Sequence, residues 1–85
     1  MWTVRFTTAA EKQLAKLDPP IRRRIFHFLE IIAQDNPRLK GKAMRGDNHA
    51  WRYRIGDYRV ICDLVDRERV VYIIRVGHRS DVYRE

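Results

Sequence analysis

The chain of 85 residues has little of what secreted and membrane proteins contain. Its single cysteine, Cys62, excludes an intrachain disulfide, and a fold without disulfides fits a reducing compartment. No hydrophobic run approaches the roughly 20 residues of a membrane span. No signal peptide precedes the first predicted strand. We therefore expect a cytoplasmic protein that is not embedded in a membrane.

Acidic residues are scarce as well. The chain has 11 Asp and Glu against 18 Lys and Arg, a net charge of +7 and a pI of about 10.2. Such an excess of positive charge favours a polyanionic partner. The charge alone does not distinguish RNA, DNA and an acidic protein.

Metal and cofactor motifs are also missing. His27, His49, His78 and Cys62 do not fall at the spacings of a zinc site. Cys62 lies on the apolar side of a predicted strand, where a small buried hydrophobe is expected rather than a reactive thiol. The sequence therefore predicts a protein that uses neither metal nor cofactor.

The most informative segment that is present runs from Trp51 to Cys62 and predicts a β-hairpin. Aromatic and β-branched residues alternate with arginines, and Gly56 and Asp57 suit a two-residue type II′ turn. This register places an apolar set on one face: Trp51, Tyr53, Ile55, Tyr58, Val60 and Cys62. It places three arginines on the other face: Arg52, Arg54 and Arg59.

The predicted arginine cluster carries an electrostatic cost. Arg54 is expected directly opposite Arg59, and like charges across a strand pair destabilise the pair. We therefore expect the cluster to bind an anion, with phosphate as the first candidate. The alternative is that Arg52 and Arg54 form only the solvated face of an edge strand.

The remaining segments predict one α+β domain over residues 1–85, in the order β-α-α-β-β-β. Two N-terminal helices pack on one face of a small, mainly antiparallel four-stranded sheet. The first strand covers residues 2–6. The first helix is capped by Thr7 or by Thr8, with Glu11 completing a capping box. The second begins after Asp18 and ends at Asn36 and Pro37.

The segment 38–49 is polar and contains two glycines, which predicts a mobile basic loop. Its cations are Lys40, Lys42 and Arg45. A turn over residues 66–68 and a strand over residues 69–76 follow, with Gly77 ending the strand.

The hairpin and the ending from Val76 to Tyr83 together resemble the RelE/ParE superfamily of toxins from toxin–antitoxin systems, with the RelE branch closest. The resemblance covers essentially the whole chain and implies the RelE-like microbial RNase fold. It implies a metal-independent endoribonuclease that cleaves mRNA in the ribosomal A site. It also implies a cognate antitoxin that neutralises the toxin, by contacting the arginine face or by displacing the tail.

The resemblance further implies a set of site residues. Those corresponding to the cationic site of RelE-like enzymes are Arg52, Arg54, Arg59, Arg79 and Tyr83. Arginines replace the lysines that are usual at the first two positions, and arginine is a poorer proton carrier. His78, beside Arg79, is therefore a candidate for proton transfer. Lys40, Lys42 and Arg45 are expected to contact mRNA or ribosomal RNA.

Two other functions remain open from the sequence. A gyrase poison of the ParE type shares the fold and needs no RNA-cutting cluster. A non-catalytic nucleic-acid-binding module would bind without cleavage. For single residues, Tyr83 could pack the tail onto the sheet, and His78 could be an ordinary surface residue.

Overall fold

The computed structural model describes residues 1–44 and 46–78. Over these residues the chain forms five strands, two α-helices and a short 3-10 helix. In chain order they are β1 (Thr3–Phe6), α1 (Thr8–Ala15), α2 (Pro19–Ala33), the 3-10 helix (Pro37–Leu39), β2 (Lys42–Met44), β3 (Asp47–Ile55), β4 (Tyr58–Val65) and β5 (Val70–His78).

The strands form one sheet in the order β1-β5-β4-β3-β2. β1 runs parallel to β5, and the other pairs are antiparallel. The predicted α+β class is confirmed, but the described sheet has five strands rather than four. The extra strand, β2, lies in the segment predicted to be a loop. Its residues lack the apolar–polar alternation that predicts a strand, and it forms because β3 offers it a partner.

The helix ends follow the predicted chemistry with three corrections. Thr7 caps α1, because its hydroxyl accepts a hydrogen bond from the Ala10 amide at 3.1 Å. Thr8 is already helical, so the predicted box of Thr8 with Glu11 is wrong. Asp18 and Pro19 begin α2 as predicted, although the Asp18 side chain makes no capping bond. α2 ends earlier than predicted, at Ala33.

The core lies between the helices and one face of the sheet. Ile25, Leu29 and Ile32 of α2 are buried against the apolar face of the β3–β4 hairpin, which includes Tyr53 and Val60. Residues i, i+4 and i+7 share one side of a helix, so α2 presents a continuous apolar stripe. No charged residue among those described is buried.

Cys62 is fully buried in this core, as predicted. Burial raises the pKa of its thiol to about 12, so the thiol stays protonated and unreactive at neutral pH.

Among the described residues, no helix combines the length and the apolarity needed to cross a lipid bilayer.

A β-bulge in β5 decides which side chains reach the open face, the sheet face opposite the helices. Ile61 pairs with Arg75, whereas the next residue, Cys62, pairs with Ile73. Ile74 is therefore an extra residue in β5, and the alternation of side chains changes phase there. Ile73 and Val76 are both buried as a result.

We predict that Tyr53→Phe destabilises the fold by about 1–3 kcal/mol, because it leaves a buried carbonyl without its donor. The Tyr53 hydroxyl donates to the carbonyl of Pro37 at 2.5 Å, and both residues are buried. Urea denaturation measures the loss. Tyr72→Phe is the control, since Tyr72 is 40% exposed, and equal losses in both variants would contradict the assignment.

Candidate nucleic-acid interface

The register of the β3–β4 hairpin is the one predicted. Ile55 pairs with Tyr58, Arg54 with Arg59, Tyr53 with Val60, and Arg52 with Ile61. Gly56 has φ of 61°, the positive value that the first position of a type II′ turn requires. Because Tyr53 and Val60 face the helices, the three arginines lie on the open face.

Arg59 is the centre of the arginine cluster, by which we mean Arg52, Arg54 and Arg59. Arg54 lies directly across from it and Arg52 lies diagonally across. The Arg59 guanidinium donates to the carbonyls of Gly56 at 3.5 Å and Tyr58 at 3.3 Å. Among the described residues, no ion pair involves Arg54 or Arg59. Two neighbouring positive charges without a described carboxylate partner form a site suited to an anion.

Two lysines stand beside the arginine cluster. Lys42 on β2 pairs with Arg52, which places it on the same open face. Lys40 and Lys42 line a cavity of about 440 Å³ together with the arginines. Its lining residues are Phe28, Lys40, Gly41, Lys42, Arg52, Tyr53, Arg54 and Arg59. The structure thus brings two of the three predicted loop cations to the arginines.

The segment that carries these lysines is tied to β3. The Trp51 indole Nε1 donates to the carbonyl of Lys40 at 2.7 Å, and the Tyr53 hydroxyl donates to that of Pro37. Gly41 has φ of 78° and approaches so closely that a Cβ would contact the Arg52 carbonyl. The prediction of a loop over residues 38–49 is therefore wrong, because the segment contains β2 and the start of β3 and its carbonyls accept hydrogen bonds from the hairpin.

Arg38 reinforces this attachment. Its guanidinium donates to both carboxylate oxygens of Asp66, at 2.8 and 2.9 Å, and lies 5.7 Å from the centroid of the Trp51 ring. The paired guanidinium holds the pKa of the Asp66 carboxyl below its ordinary value. Arg38 thus joins the 3-10 helix to the β4–β5 turn and to the indole that holds Lys40.

His78 lies on the sheet face opposite the arginine cluster. It pairs with Tyr58, and the two rings meet edge to face with centroids 5.6 Å apart. Directly paired residues share a sheet face, and Tyr58 packs against the core side. The structure therefore does not bring the predicted proton carrier together with the arginines.

Three predicted site residues, Arg45, Arg79 and Tyr83, lie outside the described residues. In the described part of the chain, no group of three or more His, Cys, Asp or Glu side chains could hold a metal ion.

Arg75 is a cation that the prediction omitted. It pairs with Ile61, which pairs with Arg52, so it lies on the open face and is half-buried. Strict alternation from the buried residues Val71 and Ile73 would put Arg75 on the core face. Only the bulge at Ile74 moves it to the arginine side, and the sequence has no clear signal for that bulge.

Comparisons with known proteins agree with this fold. A family model described as the ParE toxin of type II toxin–antitoxin system, parDE, matches residues 4–83. Toxin RelG of Mycobacterium tuberculosis is 37% identical over 84 residues, covering 98% of this chain and 97% of RelG. The mRNA interferase toxin RelE of Escherichia coli is 31% identical over 84 residues, covering 94% of this chain and 87% of RelE.

A solved structure matches closely as well. In the toxin–antitoxin complex RelBE2 from Mycobacterium tuberculosis, one chain superimposes with a TM-score of 0.81 and 35% identity, over 92% of this chain and 98% of that one. Fold, charge and relatives together define a small basic toxin of a type II toxin–antitoxin system. The chain belongs to the ParE toxin family, and its relatives place it on the RelE branch.

We predict that Gly41→Ala destabilises the toxin by about 1–3 kcal/mol more than Gly46→Ala, as an overpacked site does. Both glycines have positive φ, so an alanine at either position introduces the same backbone strain. A Cβ on Gly41 would lie 2.7 Å from the Tyr53 ring, whereas one on Gly46 meets no described atom within 4 Å. Urea denaturation of the two variants measures the difference, and equal losses would show that the close approach is unimportant.

We also predict that Arg54→Gln stabilises the toxin by about 0.2–1 kcal/mol at low salt, because it removes the like charge opposite Arg59. The gain should shrink near 1 M salt, where the Debye length is about 3 Å. Thermal unfolding across a salt series measures this. Arg5→Gln is the matched control, since Arg5 lies on the same face but pairs with Tyr72. A gain that does not depend on salt would rule out repulsion.

Proposed function

We propose that this toxin is a metal-independent endoribonuclease that cleaves mRNA in the ribosomal A site. The observation that carries the proposal is the arginine cluster around Arg59 on the open face, with Lys42 beside Arg52. The Escherichia coli relative RelE is an mRNA interferase toxin, which supports the same activity for this chain. mRNA and the ribosome are then its partners, and the cytoplasm is its place of action.

The proposed reaction needs no metal. The ribose 2′-hydroxyl attacks the adjacent phosphate and the 5′ oxygen leaves, which gives a 2′,3′-cyclic phosphate and a 5′-hydroxyl. Negative charge grows on the phosphate oxygens during the attack. Arg52, Arg54 and Arg59 bind that phosphate and stabilise the developing charge, since a guanidinium matches two phosphate oxygens at once.

The other assignments rest on charge and on the resemblance. Lys40, Lys42 and Arg45 attract the backbone of mRNA or ribosomal RNA. Arg79 binds the scissile phosphate or assists the leaving oxygen. Tyr83 stacks on a nucleotide, as aromatic side chains do with unstacked RNA bases.

The sequence predicts His78 as the proton carrier, and we propose a different route for proton transfer. His78 packs against Tyr58 on the helix side of the sheet, so we leave it out of the reaction. Arginine stays protonated and does not serve as a base. Catalysis by the toxin is then mainly electrostatic, and the ribosome supplies alignment or a proton path.

We further propose that a cognate antitoxin neutralises this toxin by covering the arginine face or by displacing the tail that carries Tyr83. An acidic partner would match the net charge of +7. The matching Mycobacterium tuberculosis structure is itself a toxin–antitoxin complex. Co-expression with any small acidic protein encoded beside the toxin gene tests this, and failure to co-purify would count against it.

We predict that Arg59→Ala lowers cleavage by about 10²–10³-fold, the usual cost of removing one transition-state charge contact. The same experiment should leave His78→Gln close to the unaltered toxin. Each form is expressed from a tightly controlled promoter, and mRNA 5′ ends are mapped within translated codons.

Arg5→Ala is the control for a loss of surface charge, and a thermal melt of each variant checks the fold. Cleavage that persists in Arg59→Ala would overturn the role of the cluster. Loss of cleavage in a folded His78→Gln variant would restore His78 as the proton carrier.

The family match also names ParE, which makes gyrase poisoning the second candidate. Growth arrest with intact mRNA and trapped gyrase–DNA complexes would favour that activity. Binding of RNA without toxicity or cleavage would favour a non-catalytic module.

A further inference from the structure

We propose that Arg75 is a second RNA-contacting arginine, which binds the phosphate next to the one held by the arginine cluster. This inference rests on the proposed function and deepens it, because it extends a single phosphate site into a track for the RNA backbone. Only the structure identifies Arg75 as a residue of the open face, since simple strand alternation would place it on the core face.

Arg75 lies diagonally across from Arg59 on the open face. Arg59 pairs with Gly77, and Arg75 is the residue two positions before Gly77 on the same strand face. Arg75 is therefore a diagonal neighbour of Arg59, typically about 7–8 Å away between backbones. Gly77 has no side chain, so no β5 side chain lies directly opposite Arg59.

Arg75 also lies in the same lateral row as Arg52. Arg52, Ile61 and Arg75 form one lateral row across β3, β4 and β5, and Lys42 extends that row onto β2. Neighbouring strands are about 4.8 Å apart, so the backbones of Arg52 and Arg75 lie about 10 Å from each other. Ile61, an apolar side chain, separates them.

This spacing favours a polyanion over a single small anion. Arg52 and Arg54 approach Arg59 from the β3 side, and Arg75 approaches it from the β5 side. Guanidinium groups on both sides of Arg59 suit successive phosphates of one RNA strand, because each guanidinium can contact two oxygens of one phosphate. The RNA backbone would therefore cross the sheet from β3 towards β5.

The test is a binding titration with a short single-stranded RNA that is 2′-O-methylated throughout and hence cannot be cleaved. Affinity is measured across a salt series for the toxin and for Arg75→Gln. We expect roughly tenfold weaker binding, as for loss of one charge-assisted contact. We also expect a salt slope smaller by about 0.7, the value for one phosphate contact on single-stranded RNA.

Two further variants make the result specific. Arg75→Lys keeps the charge and should restore most of the slope. Arg5→Gln removes a charge from the same open face, in a row that holds Tyr72, and should change the slope less than Arg75→Gln does. Thermal melts of all variants exclude a loss of fold.

The outcomes separate this inference from the proposed function. If Arg59→Ala lowers the salt slope of RNA binding and a folded Arg75→Gln variant does not, the inference about Arg75 is wrong, and the phosphate-binding role of the arginine cluster is retained. If neither lowers it, or if the unaltered toxin shows no salt-dependent binding to the RNA, both the track and the phosphate site are wrong. An equal effect of Arg5→Gln and Arg75→Gln would show only general attraction by charge, and would also overturn the inference.

Discussion

The pairing of β3 with β4 is the constraint on which the rest of this structure depends. Gly56 permits the tight turn, and the turn sets a register in which Arg54 meets Arg59 and Tyr53 meets Val60. A slip of one residue would exchange the two faces, burying the arginines and exposing the aromatic residues. Burial of the apolar face against α2 therefore stabilises the repulsive arrangement of charges on the other face.

The same two strands also organise the site beyond the hairpin. Trp51 and Tyr53 face the helices, and their polar atoms donate hydrogen bonds to the carbonyls of Lys40 and Pro37. An aromatic residue with a polar tip can be buried and still make such a bond. In this way core residues position Lys42 next to Arg52, and the stability of the hairpin and the composition of the cationic face are linked.

The sequence allowed the α+β class, the hairpin with its turn, the buried Cys62 and the arginine face to be predicted. These features depend on local patterns, namely alternation, turn chemistry and capping. It did not predict β2, whose three residues, Lys42 to Met44, have no strand pattern of their own. The sequence named His78 as a candidate because it is next to Arg79, and it did not indicate that alternation along β5 places His78 on the sheet face opposite Arg52, Arg54 and Arg59.

By itself, then, the sequence determined the charge, the periodicity of the helices and of the hairpin, and the family to which the chain belongs, because these are properties of residue order. The tertiary structure decided which cations share a face. Arg75 joins Arg59 only because a bulge at Ile74 shifts the phase of β5, and Lys40 and Lys42 join Arg52 only because Gly41 lets the chain pass close to β3. Both depend on pairing between segments distant in sequence, where the partner strand, rather than local propensity, sets the backbone.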